Sequence, residues 1–498
     1  MSPPTTKYET VAAPRRVHQS NDKSAIMCHR RRLTSRCWIA ISALVLVISG
    51  CSTSADEQAS PALSAQSHNQ DSPPTNGPIL FGRDVYGTAG IGGEQDLYAI
   101  NADGTGLRQL ADHVYFRGDG EFPNRTSPNP TLSKDGTHIL LLRSDDNGGN
   151  LYIARTDEEA DLRRLTDTGD IGFGEFISDG NHIIFTRITP DLNADLYVMN
   201  TDGTGARRLA ESDDVRSVSG TRILFWRNLP TDEGRTYYVI NVDGTGLREL
   251  IDADSDASPV FSPDGSKILY WRKHASDDGG ADLWIINADA TGLRQLTHGA
   301  NIGAAQFSPD GTKVRFGRYT EAEEDLYEVN TDGTGLRQLT YTGNSEILEF
   351  SSDLKQIAFS RSGEDPTADD AKRDLYMIDA DGTNMRQITS TGDIAASAPI
   401  FSPDGSRIIF WRGSPLPGSE VPASGMYLYS ADTGVRQLTH DMLAIGAGFS
   451  PDGKLIHLVG ATDRLHYNIH VINLDGSGMR QITDNGDVAS VAWTTKQR

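Results

Sequence analysis

The side chains of this chain that could do chemistry fall into a few sets. Carboxylates crowd together at Asp145 and Asp146, at Asp277 and Asp278, at Glu321, Glu323 and Glu324, and at Glu364, Asp365, Asp369 and Asp370. Such a density of oxygen donors could draw in a cation or a basic partner, although acidic loops more often serve only to keep a surface solvated. Asp379-Ala380-Asp381-Gly382-Thr383-Asn384 places oxygen atoms at alternate positions, as a calcium loop does, but the distant closing Glu is missing. Relatives of the segment recur along the chain, which favours a structural turn. Trp226, Trp271 and Trp411 offer ring faces on which a sugar could stack; each precedes an arginine at an equivalent place, which favours packing. His466 and His470 stand four apart, a spacing that shares a face only on a helix, and they lie in strand-like sequence. HExxH and GxSxG motifs are lacking, so no catalytic residue, metal site or cofactor is read.

The elements that carry these residues repeat. Segments of the form DLYxxNxDGTGLRQL occupy 96–110, 195–209, 282–296 and 325–339, with weaker copies between and after them. Aligned on their arginine, they place Arg108, Arg163, Arg207, Arg248, Arg294, Arg337, Arg386, Arg436 and Arg480 in register, at spacings of 41 to 55 residues. A second marker, FSPDG followed by an apolar run such as ILYWR, falls once in most periods. Together they predict four short strands per unit, with Pro-Asp-Gly and Asp-Gly-Thr-Gly as tight hairpin turns in which Asp caps and Gly supplies positive φ. A period in the forties built from strands predicts propeller blades. The fold expected is all-β: a single closed β-propeller of four-stranded antiparallel blades over residues 78–498, nine by repeat count, with eight plus an irregular unit as the alternative. The C-terminal strand at Val491–Thr494 is expected to complete a first blade that begins at its second strand, Ile79–Arg83.

The N-terminus reads as an address. Arg30–Arg32 and Arg36 precede an apolar run from Cys37 to Ile48, too short for a comfortable membrane span. Ile48-Ser49-Gly50-Cys51 resembles the bacterial lipobox, which implies lipidation at Cys51 after removal of residues 1–50; Met27 is the expected start. Residues 51–77, rich in Ser, Ala, Pro and Gln, read as the lipidated cysteine and a flexible stalk. Ser52 after the cysteine implies onward sorting to the outer membrane, facing the periplasm, in a Gram-negative envelope. All three cysteines, Cys28, Cys37 and Cys51, precede the repeats, so the repeats carry no disulfide. Net charge is −22, and beyond residue 50 there are 38 Lys and Arg against 66 Asp and Glu. A field of that sign argues against nucleic acid as a partner.

FSPDG, DLYxxNxDGTG and RQLT together resemble the TolB-like, WD-repeat-like propeller repeats of bacterial envelope proteins, over roughly residues 79–494. The resemblance implies a protein-docking propeller without catalytic activity. In such a blade the PDG and DGTG turns share one end, and the second-to-third loops, which vary widely, share the other. Recognition is expected at that variable face, with Asp277, Asp278, Glu321, Glu323, Glu324, Glu364, Asp365, Asp369 and Asp370 as candidate partner-binding residues. The expected partner is an envelope protein or peptide, with membrane attachment through the lipid anchor only and a monomeric chain. The alternative is an enzyme or binding protein acting on polysaccharide, lyase-like, for which Trp226, Trp271 and Trp411 would be the stacking platform.

Overall fold

A computed structural model describes residues 75–84, 94–115, 131–145, 148–156, 162–190, 193–212, 214–228, 234–253, 257–274, 280–299, 301–319, 324–341, 343, 345–351, 353–362, 373–394, 399–413, 425–439, 442–461 and 466–496. The described residues hold 36 strands. They fall into nine consecutive antiparallel sets of four, so the repeat count of nine stands. In blade 1 the order is Val488–Lys496, Thr75–Asp84, Glu94–Ile100 and Arg108–Tyr115; in blade 2 it is Thr131–Leu132, His138–Asp145, Gly148–Arg155 and Arg163–Arg164. Blades 3 to 9 open with first strands at Ile171–Phe176, Asp214–Ser219, Val260–Phe261, Asn301–Phe307, Ser345–Phe350, Ile400–Phe401 and Leu443–Phe449.

Each turn is held by its own side chains. In the first-to-second turn of blade 5, Ser262 Oγ donates to Asp264 Oδ1 at 2.6 Å and accepts from the Lys267 amide at 2.9 Å. Gly265 takes φ +67° there, a region closed to most L-residues. In the third-to-fourth turn of blade 4, Asp243 Oδ1 accepts from the Thr245 amide at 2.9 Å and from Thr245 Oγ1 at 2.6 Å. The motifs therefore recur because each is a complete Asx-type turn that needs no outside partner.

Second and third strands supply the core, and that core lies between blades. Ile184 and Leu196 of blade 3 pack with Val215, Ile223 and Phe225 of blade 4. The seam between the last blade and the first has the same construction: Val459, Ile469 and Val471 of blade 9 meet Ile79, Phe81, Val488 and Trp493 of blade 1. Ile79, Phe81 and Trp493 are almost wholly buried there, each contributing on the order of 1.5–3 kcal/mol of apolar transfer energy. The C-terminal strand pairs with the N-terminal one from Thr75↔Lys496 to Arg83↔Val488, which closes the ring as the sequence predicts. All 36 strands, the closing one included, lie within residues 75–496, so this segment contains its entire core.

The register-aligned arginines fasten each blade to the next. Arg163 Nη1 donates to the carbonyl of Asp202 in the following blade at 2.7 Å, Arg207 Nη2 to Val242 at 2.6 Å, and Arg436 Nη1 to Asp475 at 2.7 Å. Arg108 makes the same bond to Thr156. Arg480 of blade 9 reaches Ala102 of blade 1 at 2.7 Å, so the series runs across the closing seam.

Candidate functional site

The two ends of the blades differ in kind. At one end, the third-to-fourth connections 201–206, 242–247, 288–293, 331–336, 380–385 and 474–479 are all six residues long. Their aspartates are occupied: a threonine or serine hydroxyl and its amide hold Asp103, Asp202, Asp243, Asp289, Asp332, Asp381 and Asp475 below the ordinary carboxylate pKa. The calcium-like segment is one of these; Asp381 accepts from the Thr383 amide at 2.9 Å, as any of its relatives does. At the other end the second-to-third connections run from two residues, 146–147, to twelve, 413–424.

A repeated layer of side chains underlies those variable loops. The arginine near the end of each second strand lies over the aromatic ring of the third: Arg83 over Tyr98 at 4.3 Å, Arg227 over Tyr238 at 4.8 Å, Arg412 over Tyr427 at 4.7 Å, Arg272 over Trp284 at 5.6 Å. Beneath, a second-strand phenylalanine stacks on the same tyrosine, as in Phe225 with Tyr238 and Phe359 with Tyr376, both at 5.5 Å. Sequence pattern suggests that these arginines pair with the Asp that opens the third strand. The structure corrects this in blades 3 and 8, where Arg187 and Arg412 pair instead with Asp170 and Asp393, ahead of the first strand, at 2.8 and 2.9 Å. The third-strand Asp is taken by the fourth strand: Asp325 accepts from Thr340 Oγ1 at 2.7 Å and from the Gly343 amide at 3.3 Å, and Asp282 and Asp374 do likewise. A short polar side chain at that position is a better acceptor for a hydroxyl and amide two strands away than for a long guanidinium beside it, which reaches further along the blade. The loops are thus anchored on a rigid base of cation–π contacts and buried hydrogen bonds.

The sequence-predicted candidates are placed unevenly. Cys51, Asp277, Asp278, Glu321, Glu323, Glu364, Asp365, Asp369 and Asp370 lie outside the described residues. Glu324 is described through its backbone, which opens the third strand of blade 6 opposite Tyr319, at the variable end. Trp226 and Trp411 are buried, 6% and 8% exposed, inside inter-blade clusters. Arg235 covers the Trp226 ring at 4.4 Å. Trp271 is half-buried and its Nε1 donates to the Gly303 carbonyl at 3.4 Å. Such packing leaves the Trp226 and Trp411 rings without a free face for a sugar.

Three charged or polar groups depart from the repeat. Glu328 stands where neighbouring blades carry Ile285 and Met377, and it is 2% exposed. Lys313 at 2.7 Å, Arg337 at 2.9 Å and Arg315 at 3.2 Å surround it. Burial opposes its charge, yet the hydrogen bonds from Lys313 and Arg337 hold its carboxyl below the usual range. Glu349, on the first strand of blade 7, keeps some accessible surface but is ringed by protein, and that desolvation pushes it up to about 7. His457 is 2% exposed against the edge of Trp493, and burial pushes it down to about 3. Their signal in the sequence is their mismatch with the aligned units. Among the described residues, no group of three or more metal-ligating side chains converges.

No protein-family model matches the chain. Among solved structures, the chain is similar to a eukaryotic initiation factor at TM-score 0.55 and 13% identity, over 85% of this chain and 99% of that one. It is also similar to an oligogalacturonate lyase in complex with manganese, at TM-score 0.40 and 14% identity over 72% and 98%, and to a TolB from Agrobacterium tumefaciens, at 0.30 and 19% over 52% and 96%. At these identities the likeness concerns the fold alone. The class defined is the β-propeller with four-stranded blades.

Proposed function

We propose that this chain is a non-catalytic cell-envelope scaffold whose propeller presents the variable-loop face to a protein or peptide, held to the membrane through lipid on Cys51. The observation that carries the reading is the contrast between the blade ends. The short-turn end spends its carboxylates on its own turns, whereas the other end mounts connections of two to twelve residues on one repeated base. Loops on a rigid ring can change sequence without unfolding it, which is what recognition requires. Acidic side chains concentrated in 321–324 and 364–370 favour a basic segment of the partner.

The test is capture from solubilised envelopes with residues 75–498, compared with a variant carrying Glu321→Lys, Glu323→Lys, Glu364→Lys, Asp365→Lys, Asp369→Lys and Asp370→Lys. A protein held by the parent and released by the variant supports the reading. Capture of no protein, with release of unsaturated sugars from added polysaccharide, overturns it in favour of a lyase-like activity.

A further inference from the structure

Seven of the ten exposed large apolar residues among the described residues occupy one repeat position, the residue immediately before the latch arginine. Leu107, Leu247, Leu293, Leu336, Met385 and Met479 are 38–52% exposed there. Each ends a third-to-fourth turn, directly after the glycine or asparagine that takes positive φ in that turn, so all six lie at the short-turn end of their blades. Single exposed leucines are ordinary on a protein surface; one per blade at a fixed height is a belt.

The chain also enters the propeller at this end. Ile79 pairs with Ile100, the last residue before the third-to-fourth turn of blade 1, so Thr75–Pro78 extend past that turn. Asn76 Oδ1 accepts from the amide of Asp452 in the first-to-second turn of blade 9, at 3.2 Å. The 23 residues from 52 to 74 between this entry and Cys51 would span about 25 Å as a random coil, so a tether at Cys51 keeps this end close to the surface that holds it. Charge on the face is compensated: Arg163 binds the carbonyl of Asp202, Arg436 that of Asp475, and Arg480 that of Ala102, beside Asp103.

We infer that the short-turn face docks on a phospholipid bilayer surface, with the belt of Leu and Met side chains entering the interfacial layer. The inference rests on the envelope-anchored reading above, and adds a second membrane contact to the single lipid anchor that the sequence suggests. The aliphatic tips sit beside arginines, the pairing that suits a headgroup boundary, and the internal pairing of Asp with Arg removes net repulsion from a zwitterionic surface. The protein as a whole is acidic, so neutral lipid is the expected host and anionic lipid a poorer one. Docked this way, the variable loops face away from the membrane.

The experiment uses residues 75–498, which contain every strand of the ring and carry no acyl chain, floated with vesicles of phosphatidylcholine and phosphatidylethanolamine. The propeller is expected to float with the vesicles and to float less when phosphatidylglycerol is added. Leu293→Asp with Leu336→Asp lowers the partition coefficient by about tenfold or more, with an unchanged unfolding transition. No association at millimolar lipid, equal flotation of the variant, or formation of a face-to-face dimer that the same substitutions dissolve in the absence of lipid would overturn the inference. Mass spectrometry of Cys51 in the full chain tests the anchor separately, so loss of the anchor and loss of the docking face are distinguishable.

Discussion

Glu328→Gln should destabilise the propeller more than any single change in the latch series. The substitution keeps the shape and removes the charge that Lys313, Arg315 and Arg337 share. Lys313 and Arg337 are well exposed and can be solvated, but Arg315 has a side chain only 9% exposed and loses its one counter-charge. Breaking a buried pair from one side costs about 3–5 kcal/mol; with two of three cations able to turn to water, about 3 is expected. Replacing both members, Arg315→Leu with Glu328→Leu, should return stability to within about 1 kcal/mol of the parent, because blade 5 packs Leu269 and Ile285 at the same two positions. The assay is urea unfolding of residues 75–498 at neutral pH. The carboxyl is held below its ordinary value, so its contribution is present above the unfolded pKa of 4.5 and is lost as pH falls through the lower folded value. Glu328→Gln should lack that acid loss. A cost below about 1 kcal/mol, or a double variant no better than the single one, would refute the reasoning.

Other outcomes follow from the same structure. Ala290 takes φ +68° in a turn where other blades place glycine, so Ala290→Gly should raise stability by roughly 0.5–1 kcal/mol in the same urea assay. His457 is neutral when folded, with its pKa lowered from 6.5 to about 3, so the unfolded chain binds the extra proton; stability is full above pH 6.5 and falls toward pH 3. At pH 4.5 this loss is about 3 kcal/mol, and His457→Leu should flatten unfolding midpoints measured between pH 7 and 4.5. Glu349 is raised to about 7 by desolvation, so its effect has the opposite sign: stability declines as pH rises from 4.5 through 7, and Glu349→Gln should remove that decline. Deletion of Val488–Lys496 uncovers Ile79 and Phe81 and should abolish the cooperative transition seen by circular dichroism.

The sequence carried the ring because the ring is periodic. Nine arginines in register, turns whose Asp and Gly have one use each, and a lone closing strand at Val491–Thr494 leave little freedom for another topology. What the arginines touch was not legible, since a latch such as Arg480 to Ala102 spans 378 positions and depends on how blades meet. The third-strand aspartates misled for a related reason. In blade 3 Asp195 opposes Arg187 across the sheet, yet Arg187 pairs with Asp170, a residue outside the motif. Arg315, Glu328 and His457 were visible only as exceptions to the repeat, and exception by itself does not say whether a residue packs or binds. The acidic loop residues have no repeat to read against, which is also why they are the ones offered for recognition.

The most direct test of the account is hydrogen–deuterium exchange on residues 75–498 with and without the captured envelope partner. The account predicts new protection in 274–280, 320–323 and 363–372, with the turns at 242–247, 288–293 and 331–336 unchanged. Protection confined to those short turns, with the variable loops exchanging freely, would contradict it.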